Sequence, residues 1–275
     1  LDRLRRTLDE HGTLAVLRQG IELVGQRQPI SLCQFKPALA MNPETLTRYE
    51  ANRLRVVRQV HYSLHNENCI DLVLFLNGLP VATVELKTDF TQSMEDAVYQ
   101  YRFDRQPRPK GQSAPEPLLS FPGGALVHFA VSNSEVMMTT KLAGPATKFL
   151  PFNKGDNGGK GNPPNMSGHR TSYLWEEVWA RESWLEILGR YLVTTKDDKK
   201  KINGVIFPRY HQLDATRELL ANVLAEGPGG KYLIQHSAGS GKTNSIAWSA
   251  HFLADLHDAD HKKLFDSVIV VSDRN

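Results

Sequence analysis

Asp71, Glu85 and Lys87 are the residues of this chain best placed to do chemistry together. An Asp followed fourteen positions later by Glu-x-Lys offers two hard oxygen donors and an ammonium. Two carboxylates, with the Leu86 backbone carbonyl, suit Mg²⁺. Such an ion activates a water and offsets charge building on a phosphate under attack. Lys87 can orient or deprotonate that water, or stabilise the transition state. Charge in an apolar stretch is costly to bury unless it is paired or binds metal. Glu-x-Lys alone is a weak pattern, and a salt-bridged, solvent-facing hairpin is the plain alternative.

A second set lies far downstream. Gly239-Ser240-Gly241-Lys242-Thr243 falls between a strand-like run and a helix, as a phosphate loop must. Glycines let backbone N–H groups close around phosphate oxygens, and the helix N-terminus adds a favourable dipole. Lys242 is expected on the β/γ-phosphates of ATP and Thr243 on Mg²⁺. The full Gly-x4-Gly-Lys-Thr pattern fails at its first glycine, where His236 stands. Gln212, at the start of an upstream helix, has an amide that can donate and accept at once, as reading an adenine edge requires. An ordinary polar helix start explains it equally well. His61 and His65 are read as unrelated surface histidines. Glu44 and Glu50 are further candidate ligands on a preceding helix, though such residues are more often solvated.

The elements that must position the first set follow from the pattern. Residues 71–87, DLVLFLNGLPVATVELK, read as two strands joined at Asn77-Gly78, a dipeptide suited to a tight hairpin turn. A plain two-residue loop would set Asp71 opposite Val84, leaving Asp71 and Glu85 on opposite faces. One extra residue, in the loop or as a bulge near Leu79-Pro80, sets Asp71 opposite Glu85, roughly 5 Å away. We therefore expect the slipped register. Around the hairpin the chain reads as helix, three strands, helix, strand, which is a mixed α/β core. Asn42 caps a helix begun by Pro43, and a helix runs from the Thr91–Glu95 region to about Arg102. Strands are expected over 126–132 and 135–140, and one helix over 176–193. Residues 149–172 read as a Gly-, Asn- and Pro-rich solvated connector, with phosphate binding the less favoured role. Residues 1–195 are expected as one domain, 196–206 as a charged linker, and 207–275 as the start of a second domain with strands at 231–235 and 267–271.

Composition sets the outer bounds. At 275 residues the chain suits one to two domains. Its 33 basic and 30 acidic residues leave a net charge of +3, too small to imply nucleic acid by itself. Cys33 and Cys69 are the only cysteines, which excludes a disulfide scaffold or a cysteine-rich zinc site. A reducing cytoplasm is the expected compartment. No apolar run approaches the roughly 18 residues of a membrane span. The chain reads as a fragment cut at both ends.

Taken together, NRLRVVRQVHYS, CIDLVLFLNGLPVATVELK, MEDAVYQYRFDR, HFAVSNSEVMMTT, FLPFNKG and QHSAGSGKT resemble the restriction (motor) subunit of type I restriction-modification enzymes. That resemblance covers nearly the whole chain. It implies a PD-(D/E)xK nuclease core, a mixed sheet flanked by helices, followed by the start of a RecA-like superfamily 2 motor. Asp71, Glu85 and Lys87 match the nuclease motif, and Gly239 to Thr243 the motor's first ATP motif. Residues 268–274 resemble the start of the next motor motif. The family's Gln, followed four residues on by Tyr, matches Gln100, but its Tyr place is Asp104. Gln100 is carried over as an active-site or DNA-backbone contact, and the Tyr role stays empty. The implied function is Mg²⁺-dependent cleavage of unmethylated double-stranded DNA, driven by an ATP-fuelled translocase working with specificity and methyltransferase subunits. This piece, lacking the later motor motifs, is expected not to turn over ATP. A nuclease–helicase fusion of DNA repair and a non-cleaving assembly module of a translocase are the rival readings.

Overall fold

The protein is described by a computed structural model covering residues 1–39, 41–63 and 66–272. It divides into two compact units: Leu1–Lys36 with Thr47–Phe207, and Pro37–Leu46 with the chain from Pro208 onward. No helix among the described residues is long and apolar enough to cross a membrane.

The first unit is built on a six-stranded sheet in sequential order: β1 Leu54–His61, β2 Cys69–Leu76, β3 Leu79–Leu86, β4 Val127–Val131, β5 Val136–Thr139 and β6 Leu150–Pro151. All neighbours are antiparallel except β3 and β4, which are parallel. A parallel pair needs a crossover, and the chain between them supplies α3, Met94–Tyr99, running into a π-helical turn at Gln100–Asp104. Ser93 and Asp96 form the capping box that starts this helix. Helix α1, Asp2–Gln19, breaks at Gly12, where Thr13 N–H bonds Pro122 O at 3.0 Å. Helix α2, Pro43–Glu50, begins as expected, with Asn42 Oδ1 accepting from Glu44 N at 3.0 Å.

One face of the sheet packs on α3 through Met94, Ala97 and Ala130. Phe129 points to the other face, into a cluster with Phe152, Trp179, Trp184 and Phe207. The helix expected over 176–193 is broken. A π-turn at Leu174–Val178, helix α4 at Arg181–Glu186 and a π-turn at Ile187–Tyr191 replace it. The backbone of Ala180 is extended there (ψ 140°), which ends one segment before the next begins.

Residues 149–172 are tied to one another and to the turn after β4. Asn162, 1% exposed, accepts from Lys154 N at 2.8 Å and donates to Ser134 O and Asn153 Oδ1, both at 2.9 Å. The expected solvated connector is thus an ordered loop with a buried amide at its hub. Asn162→Ala strands those partners, and the urea midpoint of the chain is expected to report a loss of about 2–3 kcal/mol.

Residues 196–206 do not form a linker. Most of them belong to a β-hairpin, β7 Val193–Lys196 with β8 Ile202–Ile206, whose Val205 O accepts from Thr140 Oγ1 at 2.8 Å. The charged run occupies its turn, where Asp197 Oδ1 accepts from Lys199 N and Lys201 N.

In the second unit, α5 Tyr210–Glu226 and α6 Lys242–Ala254 form and pack together. The strands expected at 231–235 and 267–271 do not. A strand persists when its backbone groups find neighbours, and neither run is paired among the described residues. Leu233 and Val271 are left 90% and 89% exposed. Asp273 and Arg274, at the end of the second run, lie outside the described residues.

Candidate functional site

The β2–β3 hairpin turns at Asn77 and Gly78 with φ 50° and 88°, the left-handed pair of a two-residue turn. Leu76 pairs with Leu79 and Phe75 with Pro80, and then the register jumps, so that Leu74 pairs with Ala82 and Leu72 with Val84. Val81 is the extra residue of a bulge. The slip expected near Leu79-Pro80 is present one position later, and it brings Asp71 onto the line and face of Glu85. Without it the two carboxylates would lie on opposite sides of the sheet.

The row extends outward to Gln59 on β1, whose Nε2 donates to Asp71 Oδ1 at 3.1 Å. Gln59 has φ 49°, a left-handed backbone within a strand that a side chain resists. Asp71 Oδ2 accepts from Leu86 N at 2.8 Å. Glu85 is almost wholly buried, and its Oε1 accepts from Arg105 Nε at 2.8 Å. Burial pushes the Glu85 carboxyl up to about 7, with Asp71 adding to the rise and Arg105 opposing it. Lys87, two residues beyond Glu85, has no side-chain ion pair or hydrogen bond among the described residues.

Gln100 opens the π-turn, and its Oε1 is buried with no hydrogen-bond partner. Asp104, at the place of the absent Tyr, is exposed. The π-turn adds one residue per turn, so Arg105 N, rather than a residue four along, bonds Gln100 O at 2.8 Å. That is how Arg105 comes to face Glu85. The position carries no motif, and sequence reasoning missed it. Two strand positions inward on the same face, Thr83 Oγ1 lies 2.9 Å from Tyr101 Oη and 2.7 Å from His128 Nδ1. Tyr101 and His128 are fully buried, and burial holds His128 down at about 3, hence neutral. A lone His in an apolar strand was the only signal of this chain of hydrogen bonds.

Asp71 and Glu85 are the side chains here that would hold a divalent ion. Among the described residues no three His, Cys, Asp or Glu side chains gather around one point. Glu44 and Glu50 are exposed and join no such cluster, and His61 is exposed beside Glu67. His65 lies outside the described residues. Two adjacent carboxylates, completed by backbone and water, are the usual protein share of a Mg²⁺ site.

In the second unit, Gly239 and Gly241 have φ 73° and 81° and lead into α6 at Lys242. Lys242 Nζ donates to His236 O and Ser237 O at 3.1 and 3.0 Å, folding back over the loop, and Thr243 is exposed beside it. In this structure the Gln212 amide bonds backbone groups. Its Oε1 accepts from Arg209 N, and its Nε2 donates to Ser240 O and Gly241 O. A Cβ at Gly241 would stand 2.5 Å from that Nε2 and push the amide aside, and its φ of 81° favours glycine. Gln212 therefore braces the loop that carries Gly239 to Thr243.

A mixed sheet flanked by helices, with two carboxylates brought together at a bulge, fits a nuclease-like core. Residues 37–147, which include Asp71, Glu85, Lys87 and Gln100, match the family model of the type I restriction enzyme R protein N terminus. That match supports the sequence resemblance to a type I restriction subunit. A search of curated proteins gave no match.

Proposed function

We propose that the first unit is a Mg²⁺-dependent DNA endonuclease domain of a type I restriction enzyme, and that the second carries the ATP-binding start of its DNA-translocating motor. The observation that carries the nuclease reading is the Val81 bulge, because it alone puts Asp71 and Glu85 on one face. Asp71 and Glu85 hold the metal, which supplies an activated water and charge neutralisation at the phosphodiester. Lys87, uncommitted on the same face, orients that water or steadies developing charge. Gln100, with a buried and unpartnered oxygen, contacts the DNA backbone or the water. DNA of double-stranded form is the substrate, and the specificity and methyltransferase subunits choose where the enzyme acts.

A crystal soaked in Mn²⁺ tests this directly. Anomalous density is expected between Asp71 and Glu85, and its absence at saturating Mn²⁺ would refute the assignment.

The motor reading rests on Gly239 to Thr243 at the start of α6. Lys242 exchanges its loop carbonyls for the β/γ-phosphates of ATP, and Thr243 supplies a hydroxyl to the accompanying Mg²⁺. Lys242→Ala is expected to weaken binding of a fluorescent ATP analogue at least about 10-fold, the worth of one charge-assisted contact. Unchanged affinity would remove Lys242 from the nucleotide site.

A further inference from the structure

Three of the four carboxylate oxygens at the hairpin centre already have donors within the chain. Asp71 Oδ1 takes Gln59 Nε2, Asp71 Oδ2 takes Leu86 N–H, and Glu85 Oε1 takes Arg105 Nε. Of these donors only Arg105 carries charge. Its side chain is 13% exposed and that of Glu85 is 2%, so the pair is shielded from the solvent that weakens surface ion pairs. Among the described residues no other cation is in ion-pair contact with either carboxylate.

A guanidinium and a divalent ion cannot comfortably share one buried carboxylate. Their mutual repulsion is strongest where water is excluded. The helix carrying Arg105 also contains the means of withdrawal. The π-turn at Gln100–Asp104 brings Arg105 onto the Glu85 face, and one residue of register is about 100° around a helix axis. Relaxing that turn to α geometry carries Arg105 off the face.

We propose that Arg105 is the internal counter-cation of this centre, holding Glu85 until a divalent metal arrives and then yielding it. Metal occupancy is then a competition with Arg105, not simple filling of an open site. The proposal rests on the metal-binding reading of Asp71 and Glu85 given above.

The test is Mn²⁺ binding to the whole chain at pH 8, with free Mn²⁺ counted by electron paramagnetic resonance. Arg105→Met is expected to tighten Mn²⁺ binding about 10-fold, because the charge-assisted bond that the metal must displace is gone. Arg105→Gln, which retains a donor without the charge, should tighten it as well. Adding Glu85→Gln to either variant should abolish the gain, which locates the ion. Mn²⁺ should also raise the melting temperature of the Met variant more than that of the unmodified chain, since at one concentration a tighter ligand stabilises the folded state more. A guanidinium that merely packed the helix against the sheet would leave Mn²⁺ affinity unchanged or weaken it on removal. Either of those results, with the unmodified chain binding Mn²⁺, overturns the proposal and leaves the metal site standing. No Mn²⁺ binding by any variant overturns the metal site itself.

Discussion

Glu85→Gln is expected to lower metal-dependent DNA cleavage by the assembled enzyme at least about 10²-fold, while assembly and ATP hydrolysis stay unchanged. The substitution keeps the shape of the side chain and an oxygen for the Arg105 Nε bond, so the helix remains docked. What it removes is one of the two negative charges that can hold a divalent ion. Asp71, already accepting from Leu86 N and Gln59, is left as the sole anionic donor. Lys87→Ala is expected to cut cleavage comparably without touching metal occupancy, since Lys87 bonds to neither carboxylate. The pair of variants therefore separates metal holding from water activation. If Glu85→Gln still cuts DNA at the original rate, the centre lies elsewhere. If both variants cut normally, neither residue belongs to the cleavage centre and the docking-platform reading gains.

The hairpin centre was legible because its signals are local. Asn77-Gly78 fixes the turn, alternation assigns faces, and convergence of Asp71 with Glu85 demands one extra residue. Only the bulge's exact seat was off by one. Pro80, though it lacks an N–H, keeps its pairing with Phe75, and Val81 takes the irregular place. Arg105 was illegible for the opposite reason. Periodicity arguments assume 3.6 residues per turn, and the π-turn breaks that assumption at the residue that matters. The Tyr place stayed empty because the family's spacing falls on Asp104, which is exposed. Gln212 shows a third case. Its amide was correctly read as able to donate and accept at once, but what it joins is the Arg209 N–H and the Ser240 and Gly241 carbonyls. The apolar runs at 231–235 and 267–271 have strand composition without strand partners, and composition cannot supply the pairing. Loop 149–172 hid its order in a few buried side chains, Phe152, Asn162 and Thr171 among them.

His128 and Glu85 are expected to pull the stability of the metal-free protein in opposite directions across mildly acid pH. Burial lowers His128 from the ordinary 6.5 to about 3. Between those values the unfolded chain binds a proton that the folded one refuses, so this residue's contribution is full above 6.5 and is lost as pH falls. At pH 4.5 the loss amounts to about 3 kcal/mol, at roughly 1.4 kcal/mol per pH unit. Glu85 is raised from 4.5 to about 7, so the folded chain keeps a proton that the unfolded one releases. Its contribution is full below 4.5 and is lost as pH rises through 7. Over pH 4.5–6.5 the two slopes nearly cancel. Urea unfolding in the presence of a chelator should expose the cancellation. His128→Asn, which retains a polar partner for Thr83, should make stability climb as pH falls from 6.5 to 4.5. Glu85→Gln should make it drop over the same range. Each variant should differ from the parent slope by about one proton, and parallel profiles for all three proteins would mean that neither group is held in the state that its burial dictates.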